Sequence, residues 1–178
     1  MRTADSITDD GRALGRMVLL RHELPDGSWH FDWMLERPPW GEVRKSSEDR
    51  CLATWRVMER VDRLRAAGTR VAGETLADHR RVYLWHDGAV GGGSGGNGVV
   101  HRLAEGEIGW WRVIADSGLL VVCRWRSAAE GGASAPGDSG PGVKAVVVEH
   151  DVGPWMNWRC RLLHGGRAEW MVVDEAVG

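Results

Sequence analysis

Three residues in the first part of the chain have the types and spacing of a metal site. His30 and Asp32 stand two residues apart in W-H-F-D-W-M-L-E, and His22 ends the earlier apolar stretch M-V-L-L-R-H. On a β-strand, His30 and Asp32 project from the same face, roughly 7 Å apart. Two imidazoles and one carboxylate leave open positions on a divalent cation, which suits Mn²⁺, Fe²⁺ or Zn²⁺ acting on a bound ligand. The same spacing also fits an accidental pair on a solvated strand face.

The elements that must position these residues form a predicted β-hairpin. Apolar and polar side chains alternate through residues 29–36, which is typical of a half-buried strand and not of a helix. One parity carries only apolar residues: Trp29, Phe31, Trp33 and Leu35. Pro25-Asp26-Gly27 favours a turn between this strand and the preceding one, which ends at His22.

The remainder of the chain predicts a mainly β protein, an antiparallel sandwich or barrel with one or two short helices. We expect a flexible lead over residues 1–15, and then one domain over 16–178 that includes a disordered surface loop at about 128–142. Residues 52–67 favour a short strand followed by one helix. Residues 88–98 predict a glycine-rich loop that lacks the pattern of a P-loop. Further strands are predicted at 81–85, 99–103, around 110–114 and 119–125, and at 143–149, 158–163 and 169–173.

Composition limits the classes of function. The formal net charge of -2 argues against a generally polycationic nucleic-acid binder, although it allows a local basic groove. Eleven tryptophans, against one Phe and one Tyr, predict rings packed mainly in the core, each indole N–H finding a partner. The three cysteines are far apart and lack C-x-x-C spacing, which indicates reduced thiols. We find no signal peptide and no apolar run that would span a membrane, so we expect a cytoplasmic protein.

Two blocks of the sequence resemble a known family. M-V-L-L-R-H-E followed by H-F-D-W-M-L-E is similar to the opening of the 3′-phosphoesterase domain of bacterial DNA ligase D. D-H-R-R-V-Y-L-W-H-D-G, residues 78–88, is similar to a second block of that domain, which reads D-H-P-x-x-Y-x-x-F-E-G. The blocks together cover roughly residues 17–110. L-A-T-W-R, residues 52–56, also looks like a stretch in small stand-alone bacterial proteins of this family.

The resemblance implies a compact β-barrel with a Mn²⁺-dependent site that trims 3′-phosphate or 3′-ribonucleotide groups from DNA ends. It implies that Mn²⁺, or another divalent cation, is bound by His22, His30 and Asp32. His79 matches a catalytic histidine that contacts the scissile phosphate, and Tyr83 matches a tyrosine of the same pocket. Arg80 is a further candidate for substrate binding. The implied partners are the 3′ ends of DNA or of DNA/RNA in DNA repair, with a repair ligase or polymerase as a candidate protein partner.

Departures from the family pattern leave other functions open. Met34 stands where the family has an arginine, and Ala77 where it has an acidic residue. Loss of that arginine would fit a catalytically impaired barrel that binds DNA ends or docks a partner, unless Arg80, Arg81 or Arg102 replaces it. A more distant alternative is an Fe(II)/2-oxoglutarate oxygenase, in which His150 and Arg159 would join the H-x-D pair. Glu36 lies on the parity of Asp32 and is either close to the metal ligands or exposed.

Overall fold

The computed structural model of the protein describes residues 14–40, 46–91, 97–114, 118–126 and 152–174. These residues form nine strands and three short 3-10 turns. The strands are β1 (Gly15–Glu23), β2 (Trp29–Glu36), β3 (Arg50–Val57), β4 (Arg70–Arg80), β5 (Gly88–Val90), β6 (Gly98–Ile114), β7 (Gly118–Arg126), β8 (Met156–Leu162) and β9 (Arg167–Val173). The turns are Val61–Arg63, Arg81–Leu84 and His164–Gly166.

One antiparallel sheet closes into a barrel-like ring. Its order is β1-β2-β3-β4-β9-β8-β7-β6-β5, and β1 also pairs with β6. The mainly β, barrel-like fold predicted from the sequence is therefore confirmed. The β1–β2 hairpin is confirmed as well, and its turn is closed by the Gly27 amide, which donates to the Leu24 carbonyl at 2.9 Å.

The interior of the ring is packed with tryptophan. Trp33 is fully buried and its ring lies 4.6 to 6.5 Å, between centroids, from four other indoles. These four are Trp55, Trp125, Trp158 and Trp170. The core role predicted for most tryptophans is confirmed. The expected partners for each indole N–H are not found, since these five nitrogens are buried with no hydrogen-bond partner among the described residues. Edge-to-face packing of the rings supplies much of their contact instead.

A second apolar layer lies on the outside of the barrel, and it explains why β1 and β2 are buried on both faces. The turn Arg81–Leu84, here named the covering turn, folds over this outer face. The buried residues beneath and within it form the outer cluster: Val18, Leu20, Met34, Leu52, Leu84 and Val100. The sequence predicted a half-buried β2, but only Trp29 of its eight residues is exposed.

Several predicted elements are wrong in type or extent. Residues 81–85 are not a strand, because the chain leaves the sheet after β4 and turns so that Leu84 can fill the outer cluster. The helix expected within 52–67 is reduced to the turn Val61–Arg63, in which only Val61 is buried. The strands predicted at 99–103 and 110–114 are parts of one strand, β6. β4 was not predicted at all.

Other sequence predictions lie partly beyond the described residues. The loop at 128–142, the strand at 143–149 and residues 1–13 of the predicted lead lie wholly outside them. The lead was predicted to extend to residue 15, but Gly15 is the first residue of β1. Within the described ranges, no helix has the length and apolar character needed to cross a membrane.

Candidate metal centre

His22, His30 and Asp32 meet at the end of the β1–β2 hairpin that lies next to its turn. His22 is directly opposite His30 in the strand register, and Leu20 is opposite Asp32. Asp32 Oδ2 lies 3.5 Å from His22 Nδ1, and Oδ1 lies 3.4 Å from His30 Nε2. One potential ligand atom from each residue falls within 4.8 Å of the others. The structure thus brings together the three residues predicted as metal ligands.

The cluster is buried although it lies on the outer face of the sheet. His22, His30 and Asp32 retain only 7%, 6% and 3% of their surface exposure. Part of this burial comes from β6, which pairs with β1 so that Val100 is opposite His22. Gly98 makes the close approach possible, since a Cβ there would lie 3.1 Å from His22 Nε2. The predicted alternative of a solvated polar face therefore does not apply.

The electrostatics of the cluster favour an ionised carboxylate. Burial of Asp32 acts to raise its pKa, but the His22 and His30 imidazoles, with the charge of His79, outweigh that effect and lower the pKa to about 2. At 3.4 and 3.5 Å the imidazole–carboxylate contacts are long for hydrogen bonds, so the attraction is chiefly electrostatic. Asp32 thus carries a negative charge at neutral pH in a nearly dry site.

The donor set and its unsatisfied atoms fit a divalent cation. His22 Nε2 and Asp32 Oδ1 are buried and have no hydrogen-bond partner among the described residues. Leaving such atoms unpaired costs free energy, roughly 1–3 kcal/mol for a neutral group and more for a charged one. Nitrogen and oxygen ligands lie about 2.0–2.2 Å from a zinc-like cation and hence no more than about 4.4 Å from one another. The candidate ligand atoms of the three residues lie within 4.8 Å of one another, which is close to that limit.

The second sequence block lies beside this cluster. His79, near the end of β4, is near enough for its charge to lower the pKa of Asp32. Its ring packs edge-on against Tyr83 of the covering turn, with centroids 5.4 Å apart. A contact of 2.9 Å between His79 Nδ1 and the Ala77 carbonyl indicates that Nδ1 carries the proton, which leaves Nε2 as the second functional nitrogen. His79 and Tyr83 therefore adjoin one another as the resemblance implies.

The position at which the family of the sequence resemblance has an arginine is apolar in this protein. Met34 is 1% exposed within the outer cluster. Arg80 is held by Glu48 at 2.9 Å and points a surface-exposed guanidinium near the Tyr83 ring. Arg102 donates to the Leu84 carbonyl at 3.3 Å. Both arginines thus have partners within the protein, and Arg80 lies close to Tyr83.

Glu36 was left undecided by the sequence and is a buried structural anchor. Its side chain is 8% exposed, and its Oε1 accepts a hydrogen bond from Arg81 Nε at 2.9 Å. Its Oε2 accepts one from the Arg16 amide at 3.2 Å. Glu36 therefore ties β2, which carries two of the metal ligands, to the covering turn, which carries Tyr83. Sequence parity placed Glu36 on the correct face but gave no sign of Arg81 as its partner.

A cavity of about 290 Å³ lies at the other end of the hairpin, beyond Glu36. It lies apart from the cluster, because Glu36 and Asp32 are four residues apart on β2, about 13 Å along a strand. Its charged lining residues are Arg16, Glu36, Arg81, Glu105, Glu107 and Arg126. The sequence gave no indication of this cavity.

The oxygenase alternative gains no support from the described residues. His150 lies outside them, and Arg159 is an exposed residue of β8. His22 instead occupies the third position beside the H-x-D pair. Neither a protein-family model nor a curated protein sequence matches this chain.

Proposed function

We propose that this protein is a divalent-cation-dependent phosphoesterase that removes 3′-phosphate or 3′-ribonucleotide groups from DNA ends in the cytoplasm, with Mn²⁺ as the preferred ion. The observation that carries the proposal is the buried convergence of His22, His30 and Asp32, in which two candidate ligand atoms lack a hydrogen-bond partner among the described residues. The placement of His79 and Tyr83 next to this cluster supports a phosphate ester as substrate.

The chemistry follows from the charges that phosphoester cleavage develops. A bound cation would supply positive charge to the phosphoryl oxygens and lower the pKa of a coordinated water. The carboxylate of Asp32, which is ionised at neutral pH because its pKa is about 2, would hold the cation together with the two imidazoles. His79 would contact the scissile phosphate and donate a proton to the leaving oxygen. The Tyr83 ring fixes the orientation of the His79 imidazole.

The direct test is hydrolysis of a primer–template whose primer ends in a 3′-phosphate or a single 3′-ribonucleotide. Wild type with Mn²⁺ is expected to remove the end group, and chelator or His30→Ala is expected to abolish turnover. His101→Ala is the matched control, because His101 is an exposed histidine on β6 and is not part of the cluster. Absence of turnover by folded, Mn²⁺-loaded wild type on both substrates would refute the proposal.

A second candidate is a DNA-end-binding or partner-docking barrel that has a metal site but little catalysis. It is favoured by Met34, because removal of one phosphate donor typically costs about 10²–10³ in rate, and Arg80 and Arg102 have other partners. Metal-loaded wild type that binds 3′-ended DNA without cleaving it would select this candidate. Here a repair ligase or polymerase is the partner class to test.

A further inference from the structure

An exposed tryptophan lies beside two arginines at the end of the hairpin opposite the metal cluster. Trp85 follows the covering turn directly and retains 45% of its surface exposure. The Arg81 guanidinium lies 4.9 Å from the centroid of its indole ring, and that of Arg16 lies 5.8 Å from it. Both arginines also line the 290 Å³ cavity, so they connect the Trp85 ring to that cavity.

The two guanidinium groups retain donors for an anion. Arg81 uses Nε for Glu36, and no hydrogen bond from its two terminal nitrogens is found among the described residues. The side chain of Arg16 is exposed, and its only contact within those residues is the indole ring. An arginine whose terminal nitrogens are not hydrogen-bonded within the protein can bind phosphate, because its planar guanidinium donates two parallel hydrogen bonds.

The carboxylates that line the cavity are already paired within the protein. Glu36 accepts hydrogen bonds from Arg81 and from the Arg16 amide, and Glu105 and Glu107 both pair with Arg126. A base would therefore contact the indole rings at this site and not the carboxylates. Trp40 adds a second indole to the lining. Proteins hold single-stranded nucleic acid with aromatic rings and arginines that stack on its bases, and with neighbouring arginines that contact its phosphates.

We infer that Arg16, Arg81, Trp85 and the adjoining cavity form a second substrate-binding site, which holds a nucleotide of a single-stranded DNA segment. This inference extends the proposed function, because it supplies a grip on the strand whose 3′ end reaches the metal cluster. Arg16 and His22 lie on the same face of β1, six residues or about 20 Å apart. At about 3.4 Å per nucleotide along a B-form strand, this span corresponds to roughly six nucleotides.

The test is equilibrium binding of a fluorescein-labelled twelve-nucleotide oligothymidylate, followed by fluorescence anisotropy in the presence of EDTA. Because EDTA removes the metal, binding is measured independently of hydrolysis. Trp85→Ala is expected to weaken binding about 5- to 100-fold, the range for loss of one stacked base. Arg16→Ala is expected to lower the slope of log K against log salt by about 0.7, the value for one lost phosphate contact on a single strand.

The matched control is Trp29→Ala, since Trp29 is 40% exposed and also packs against an arginine, but at the opposite end of the hairpin. It is expected to bind as wild type. Any of three results would overturn the inference. Trp85→Ala could bind the oligonucleotide with wild-type affinity, wild type could fail to bind it, or polyglutamate could compete for the site as well as the oligonucleotide does. Hydrolysis without any effect of Trp85→Ala on binding would refute this second site alone. Binding that depends on Trp85 without hydrolysis would refute only the proposed activity.

Discussion

His22 and His30 face each other across the β1–β2 ladder, and their imidazole rings lie 5.0 Å apart between centroids. The pairing is a consequence of hairpin register, because residues directly opposite one another in an antiparallel pair project from the same face. Asp32, two residues after His30, projects from that face as well. The tight turn thus sets the separation of the two imidazoles and, through β2, the place of the carboxylate.

Metal binding is expected to stabilise the protein, and His30→Ala is expected to remove that effect. At a free Mn²⁺ concentration of one hundred times Kd, the folded state gains about 2.7 kcal/mol. For a chain of this size, that gain corresponds to a rise in Tm of roughly 5–10 °C. Differential scanning calorimetry with and without Mn²⁺ measures the shift. His101→Ala should retain it, and an equal shift in His30→Ala would remove His30 from the ligand set.

The stability of the metal-free protein is expected to fall in acid because of Asp32. Its pKa is about 2 in the folded state, below the value of about 3.9 for an unfolded chain. A carboxyl group whose pKa is lower in the folded state stabilises the protein at pH values above its unfolded-state pKa. That contribution is lost as the pH falls from about 4 towards 2. It amounts to about 2 kcal/mol. Urea unfolding in EDTA at pH 6 and pH 3 measures the loss.

The control for this pH dependence is Asp32→Asn, in which no carboxyl group titrates at the site. The variant is expected to lose less stability than wild type between pH 6 and pH 3, by about 1 kcal/mol, because part of the Asp32 contribution is lost only below pH 3. An identical loss in the two proteins would show that other carboxylates, such as Glu107 between Arg124 and Arg126, account for the acid sensitivity.

The sequence predicted the site better than it predicted the elements around it. Alternation in residues 29–36 and the turn at Pro25 to Gly27 depend on local geometry, so the hairpin and the convergence of His22, His30 and Asp32 could be predicted directly. The covering turn depends on the outer cluster, which joins residues from β1, β2, β3 and β6 that are distant in sequence. Of residues 81–85 only Leu84 is buried, and the local pattern cannot show whether a strand or a turn buries it.

Neither the Glu36–Arg81 pair nor the cavity could be predicted from the sequence, and the reason is again that they depend on distant residues. Forty-five residues separate the two partners, and no local periodicity relates them. β4 was missed because its residues are mostly exposed or half-buried, so that the alternation typical of a strand is weak. Such features depend on tertiary contacts alone.

Gly98→Ala is expected to disturb His22 and weaken metal binding. Gly98 has φ +143°, and a Cβ there would lie 2.1 Å from the Glu23 carbonyl oxygen and 3.1 Å from His22 Nε2. The backbone conformation alone disfavours alanine by about 1–3 kcal/mol. Isothermal titration with Mn²⁺ and urea unfolding measure the two effects. The control is Gly91→Ala in the same glycine-rich segment, where a Cβ meets nothing within 4 Å. Equal Mn²⁺ affinity in both variants would show that β6 does not position His22.

Glu36→Gln is expected to loosen the covering turn. The change removes the charge that faces Arg81 Nε, although the glutamine keeps the size of the side chain. Breaking a fully buried pair costs about 3–5 kcal/mol, but Arg81 is 25% exposed, which reduces the expected loss to about 1–3 kcal/mol. Urea unfolding measures it. The control is Glu74→Gln at the exposed Glu74–Arg56 pair, where the loss should not exceed about 1 kcal/mol. Similar losses at the two sites would mean that Glu36 is not the anchor of the turn, and that packing of Leu84 alone holds Tyr83 beside His79.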